Sequence, residues 1–364
     1  MQNLAETHLT STAVLVIVTL VIVLQIPVRP ATEGAPAGAP FSQFTQWRCS
    51  LMPKPFLTYA QQIEKLQKEK GLVINDVQYA EDTLKRTSYF ALITGYKHLF
   101  KNKTTGKYKD GTKFEDIVAL YIFDEGLREL FLKYLCQVER HIRSLISYYF
   151  SEKFGESQLE YLDVNHYQYA GANIPKINKL VSMLSAPIND PNCQYQYIVH
   201  YVSKNHNVPL WVLLNTVSFG TLSKMYTLMT QDLQIKVSAN FPGIVENELG
   251  KLLSVLTKFR NVCAHNERLF SHSIKESIPD LLLHEKLAIA KKGNQYRYGK
   301  SDLFAVVIAL RYLLPRSDFV QFKKELVALI ETCKRSSSAI SEGALLEQMG
   351  FPENWQRITV FRKI

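Results

Sequence analysis

Residues 114–154 read FEDIVALYIFDEGLRELFLKYLCQVERHIRSLISYYFSEKF. Leu120, Phe123, Leu127, Leu130, Tyr134, Val138, Ile142, Leu145 and Tyr149 recur at steps of three and four residues. That spacing puts them on one stripe of a long α-helix, because residues three and four apart share a helix face. The same reading places Asp124, Glu125, Arg128, Glu129, Lys133, Glu139, Arg140 and Arg143 on the other faces. A helix of this length must be a central member of a bundle, and everything around it reads as helical too.

Toward the N-terminus, Thr58 is a candidate N-cap for a short helix that ends near Gly71, where glycine can take the left-handed cap conformation. Asp76 caps a second helix through Arg86. The lysine-rich segment Lys97–Lys113, with Gly106 and Gly111, reads as a solvated loop that could equally funnel RNA. Toward the C-terminus, helices are expected at about 175–185, 191–205 and 209–230. Ser218-Phe-Gly-Thr interrupts the last of these, with Thr221 opening the next. Residues 246–264 form a second long amphipathic helix with Leu249, Leu252, Leu256, Phe259 and Cys263 inward, and it is the natural partner of 114–154. Residues 302–314 and 318–335 read as a closing helical pair split by Pro315. No strand alternation and no internal repeat stand out. Trp211 and Phe219 read as core rather than as stacking platforms.

The chain has 364 residues and a formal net charge of +10, which favours a polyanionic partner such as RNA, DNA or an anionic membrane. Its five cysteines, Cys49, Cys136, Cys193, Cys263 and Cys333, form no CxxC pair, which argues against a disulfide framework or a structural zinc and suits a reducing cytoplasm. Residues 13–28 form an apolar run slightly short of the roughly 20 residues that span a membrane. A Pro/Ala/Gly-rich linker follows. We divide the chain into 1–51, this apolar segment plus linker, and 52–364, one helical domain. Met52 opens MPKPFLTYAQQIEKL, a start suited to a cytoplasmic helical protein, so residues 1–51 are read first as non-native. The alternatives are a signal or a single anchor with the body in the cytoplasm; only a native 1–51 would bring a membrane partner.

The familiar catalytic signatures are missing. There is no GxxxxGK, GxGxxG, GxSxG or HExxH, and the histidines do not cluster with carboxylates at ligand spacing, so no metal or cofactor is expected. One polar cluster remains: Lys258-Phe-Arg260-Asn261-Val-Cys-Ala-His265-Asn-Glu-Arg268-Leu-Phe. At about 100° per residue, Asn261 and His265 share a stripe with Arg260 on its flank. Arginine offers a planar fork to phosphate, histidine titrates near neutrality, and asparagine can orient the histidine or a ribose hydroxyl. That set suits RNA cleavage by the substrate's own 2′-hydroxyl. On spacing alone, the plainer reading is a helix C-terminus where His265 and Arg268 complement the dipole.

Several blocks, in order, carry a resemblance. They are Lys54-Pro-Phe-Leu-Thr-Tyr-Ala-Gln-Gln-Ile, Tyr89-Phe-x-x-Ile-x-Gly-Tyr96, Leu127-Arg-x-Leu with Glu139-x-x-x-Arg143, Pro209-Leu-Trp-Val, Ser218-Phe-Gly-Thr-Leu-Ser-Lys-Met-Tyr226, and Arg260-Asn-x-x-x-His265-x-x-Arg-Leu-Phe270. From Lys54 to His272 the chain resembles abortive-infection (Abi) proteins of the AbiD/AbiF type, which are similar to the HEPN superfamily. The resemblance implies an all-α fold, a HEPN-like helical bundle with additional helices. It implies phage defence by a metal-independent endoribonuclease, with Arg260 and His265 as catalytic pair and Asn261 as their polar neighbour. Glu139, Arg143, Arg268 and Lys258 are candidate supporting or RNA-binding residues. One Arg-x4–6-His motif per chain implies a homodimer. The alternatives are a non-catalytic RNA-binding protein held by a small RNA partner, or a membrane-tethered effector.

Overall fold

The computed structural model describes residues 55–361; the apolar run, the linker and Met52 lie outside the described residues. Helix α1 (Tyr59–Glu64) opens on a capping box: the Thr58 hydroxyl accepts from the Gln61 N–H, and the Gln61 side chain accepts from the Thr58 N–H. It continues as a π-helical turn to Glu69 and stops at Gly71, φ +71°. Asp76 caps α2 (Val77–Thr87) through the Tyr79 N–H.

Helix α3 (Phe114–Phe154) runs unbroken for 41 residues, about 60 Å. The expected stripe is buried from Leu120 to Ile142 and half-buried at Leu145 and Tyr149, and much of the rest is inside too: Phe114, Ile117, Phe131, Leu135, Ile146 and Phe150 are buried as well. The physical reason is its central position. α7 (Leu210–Leu213), α8 (Phe219–Leu228), α9 (Gln231–Ser238), α10 (Glu246–Ala264), α12 (Leu303–Leu313) and α13 (Arg316–Ser336) all pack against it. Surrounded in this way, α3 buries Asp116, Asp124, Arg128 and Glu139, three of which the sequence reading places on outer faces. Gly126 lets α13 approach closely, since a Cβ there would stand 2.9 Å from Leu329 Cδ2.

Between these elements lie α4 (Gln158–Leu162), α5 (Ile174–Asn189) and α6 (Gln196–His200), the last extended by a π turn to Asn205. Ser218 is itself the N-cap of α8, accepting from the Thr221 N–H, so that helix starts at Phe219 rather than at Thr221. Phe219 is buried as expected, whereas Trp211 is 47% exposed. α10 has the expected limits, and Leu249, Leu252, Leu256, Phe259 and Cys263 all point inward. Beyond it come α11 (Leu282–Lys286), a two-residue hairpin of β1 (Lys291–Lys292) and β2 (Gln295–Tyr296), and α14 (Glu342–Met349), none of which the sequence reading anticipates. Every residue of α12 is buried, the pattern of a helix at the centre of a core. The described chain is all-α apart from that hairpin. No helix among the described residues is long and apolar enough to cross a membrane.

Candidate functional site

Helix α10 ends in a Schellman turn. His265 is the C-cap, Asn266 takes the left-handed conformation at φ +55°, and the Glu267 N–H donates to the Val262 carbonyl at 3.1 Å. Asparagine tolerates that conformation better than other non-glycine residues, because its short polar side chain can bond locally. The turn releases the chain back toward α3 and leaves Asn261 and His265 exposed at the helix end.

The segment beyond the turn is held by Asp124, a fully buried carboxylate on α3. It accepts from Leu269 N–H (3.0 Å), Phe270 N–H (2.6 Å), the Tyr96 hydroxyl (2.7 Å) and Arg128 Nη1 (2.8 Å). The Tyr96 ring stacks on Phe270 at 5.8 Å between centroids. Arg268 Nη1 reaches the Gly95 carbonyl at 2.5 Å. Three separated sequence blocks, Gly95-Tyr96, Asp124–Arg128 and Arg268-Leu-Phe270, therefore meet at one buried anion. Burial pushes the Asp124 carboxyl above the usual carboxylate range, and the donors around it pull the other way.

Arg260 lies one helical turn before His265 and faces α3. Its Nε is 3.6 Å from Glu139 Oε2, and the other oxygen of that carboxylate accepts from Arg143 Nη2 at 2.8 Å. The Glu139 side chain is 8% exposed and Arg260 30% exposed, so a buried carboxylate is hydrogen-bonded to Arg143 and ion-paired without a hydrogen bond to Arg260, part of whose side chain is open to solvent. Glu139–Arg143 is thus a buried brace for Arg260 rather than an isolated surface pair. Cys136 sits beside it; burial and the Glu139 charge raise its thiol, while Arg260, Arg140 and Arg143 lower it.

Two further groups flank this brace. Tyr195 and Tyr197 present exposed rings 5.7 Å apart. Burial raises the Tyr197 hydroxyl, Tyr195 and Cys193 raise it further, and the Arg143 charge opposes the rise. On the Arg268 side, His98 is lowered by burial, Lys97, Arg268 and Lys101, and Lys101 by burial, Lys97 and Lys70. None of Lys70, Lys97, Lys101 and Arg268 is ion-paired with a described carboxylate. A basic ridge thus adjoins the closing turn.

Of the residues singled out by sequence, Arg260, Glu139 and Arg143 are brought together, Asn261 and His265 share the exposed helix end, and Arg268 ties that end to Gly95. Lys258 makes no ion pair with the group among the described residues: its ammonium is paired with Glu276. The sequence reading misses Tyr96, Asp124 and Arg128 as positioning residues, and Tyr195 and Tyr197 as surface aromatics. A signal for Asp124 and Arg128 exists in their spacing, since they interrupt the run Leu120, Leu127, Phe131 and Leu135 at helical steps.

A search of curated proteins and a search of solved structures returned no match. The profile of one family, described as Abi-like protein, matches residues 82–271, more than half of the chain. The match runs from α2 to the residue after Phe270, and so takes in the Asp124 network and the Arg260/His265 helix end together. On that match, the chain belongs to the Abi-like protein family.

Proposed function

We propose that this Abi-like chain acts in abortive infection as a HEPN-type, metal-independent endoribonuclease whose site is Arg260, Asn261 and His265, braced by Glu139 and Arg143. The observation that carries the reading is the partly exposed Arg260 guanidinium, 3.6 Å from the buried Glu139 carboxylate, on the same helix end as the exposed His265. An arginine that meets its carboxylate through Nε alone keeps its terminal N–H groups for a phosphate. In the reaction, the 2′-oxygen of a ribose attacks the adjacent phosphorus and the bond from phosphorus to the 5′-oxygen breaks. A cyclic 2′,3′-phosphate and a free 5′-hydroxyl result. His265 removes the 2′-hydroxyl proton, and His265 of a second copy donates one to the leaving 5′-oxygen. Arg260 stabilises the charge on the non-bridging oxygens. Asn261 orients the ribose, Tyr195 and Tyr197 offer stacking faces for bases, and the Lys97–Lys101 ridge holds flanking phosphates. The requirement for two histidines makes the active species a homodimer.

The purified full chain, incubated with RNA in EDTA, should cleave it, and His265→Ala should stop cleavage while leaving the circular-dichroism spectrum unchanged. Equal cleavage by that variant rejects the assignment. A second reading, an RNA-gripping protein without cleavage, is favoured by one feature: the hydrogen bonds of His265 among the described residues are made by its backbone, with no side chain orienting its ring. In that case no RNA is cut, and Arg260→Ala rather than His265→Ala abolishes RNA binding.

A further inference from the structure

Helix α12 is buried along its whole length, yet it carries Arg311, which is only 8% exposed. Arg311 Nη2 donates to the Phe361 carbonyl at 2.8 Å, and its guanidinium carbon lies 5.7 Å from the centre of the Phe319 ring. No described carboxylate pairs with it. The nearby Asp318 is engaged by Gln137 and by the Ser317 hydroxyl, and it does not line the cavity that Arg311 borders. The charge that does reach Arg311 is another cation: burial lowers its affinity for its proton, and Arg316 lowers it further. A guanidinium does not shed its proton at any ordinary pH, so this arrangement is a buried positive charge with a like charge beside it.

Both arginines border a cavity of about 470 Å³ between α3, α12, the loop after α9 and the start of α13. His141 of α3 and Asn240 also line it, the Asn240 amide nitrogen donating to the Tyr149 hydroxyl and the Lys236 and Val237 carbonyls, and Phe241 and Pro242 give it an apolar wall. α13 begins at Arg316 without a side-chain cap, and the Asp318 carboxylate in its first turn offsets part of the positive potential of its first N–H groups. A cavity of this size has room for a small molecule rather than a bare ion. We propose that it binds a small phosphate-bearing ligand, with the phosphate on Arg311 and Arg316 and the body of the ligand against Phe241 and Pro242. The site is separate from the Arg260 brace: His141 lies on α3 between Glu139 and Arg143, and a two-residue step on a helix points to a different side.

The test is calorimetric titration of the full chain with inorganic phosphate, with AMP and with adenosine, which separates a bare anion from a nucleotide. Binding of phosphate or AMP, absence of adenosine binding, and a loss of at least about tenfold in Arg316→Ala support the site. Arg316 is exposed, so that variant does not disturb the core. Arg311→Met should abolish binding while leaving the ligand-free melting temperature unchanged or higher, because it removes a buried charge that no described carboxylate pairs. The proposal fails if neither anion binds, if adenosine binds as tightly as AMP, or if binding survives Arg316→Ala. None of these readouts involves RNA, so the outcome is independent of the Arg260/His265 assignment.

Discussion

Replacing Asp124 with asparagine should destabilise the protein severely, although the two side chains have the same shape. Asp124 Oδ2 takes the Tyr96 hydroxyl, Arg128 Nη1 and Leu269 N–H, while Oδ1 takes Phe270 N–H at 2.6 Å. An asparagine supplies one oxygen and one NH₂ group. Whichever way the amide turns, a donor is set against donors. If the NH₂ replaces Oδ2, Arg128 loses its counter-charge; if it replaces Oδ1, Phe270 N–H is orphaned. Arg128 is 4% exposed, and in both orientations it faces a neutral group. Removing one partner of a buried ion pair costs about 3–5 kcal/mol. An orphaned buried N–H costs about 1–3 kcal/mol on its own. The two losses overlap, so a total of about 4 kcal/mol is expected. Urea unfolding of the full chain followed by circular dichroism measures it. Arg128→Met on top of Asp124→Asn should restore at least about 2 kcal/mol, since a neutral pair of similar volume leaves no buried charge. A loss below about 1 kcal/mol for Asp124→Asn would refute the reasoning, because it would mean that burial has won over the four donors and the native carboxyl is already protonated.

Two other outcomes rest on charge. Burial pushes the Asp302 carboxyl, the N-cap of α12, up to about 6 from an ordinary value of 3.8, against N–H donation from Ala305 and Gly299. Its folded value exceeds its unfolded one, so its stabilising contribution is fully present below the unfolded value and is lost as pH rises through about 6. Stability should fall by up to about 3 kcal/mol over that window, and Asp302→Asn, which still caps the helix, should flatten the profile in denaturation series at several pH values. For RNA binding, Lys97→Ala and Lys101→Ala should each reduce the slope of log affinity against log salt by about 0.7, measured by fluorescence anisotropy on single-stranded RNA; unchanged slopes would remove the basic ridge from the RNA path.

The helices that define the fold are legible because their apolar spacing is long and regular. Residues 114–154 and 246–264 have the limits that their periodicity gives. Thr58, Asp76 and Gly71 work as punctuation for the same local reason: a cap is decided by one side chain and its own turn. Elements with few residues per turn of pattern escape. α9, α11 and α14 have eight residues or fewer, too short for a periodic signal to rise above composition. Trp211 is misplaced by its sequence because size and apolarity say only that a side chain can be buried, not that a neighbour covers it.

The candidate site is half legible, and the missing half has a single physical cause. Arg260, Asn261 and His265 declare themselves by interrupting an apolar helix, whereas the residues that hold them sit on another helix more than a hundred positions away. On α3, Asp124, Arg128, Glu139 and Arg143 fall at helical steps within a second apolar row, alongside Leu120, Leu127, Phe131, Leu135, Ile142 and Ile146. Read one helix at a time, charged residues are assigned to solvent, because burying one alone costs several kcal/mol. That cost is offset by partners on the same helix and by others from elsewhere in the chain: Asp124 by Arg128, Tyr96 and the backbone after Arg268, and Glu139 by Arg143 and Arg260. A charge that recurs within an apolar row is therefore better read as a request for a distant partner than as a solvated face. On α3 the two such requests are answered by the two halves of one segment, Arg260 before the Schellman turn and Leu269-Phe270 after it. The turn that carries His265 is tied on both sides to buried carboxylates of one helix, to Glu139 by the Arg260 ion pair and to Asp124 by the Leu269 and Phe270 N–H groups, and it presents the histidine at the surface.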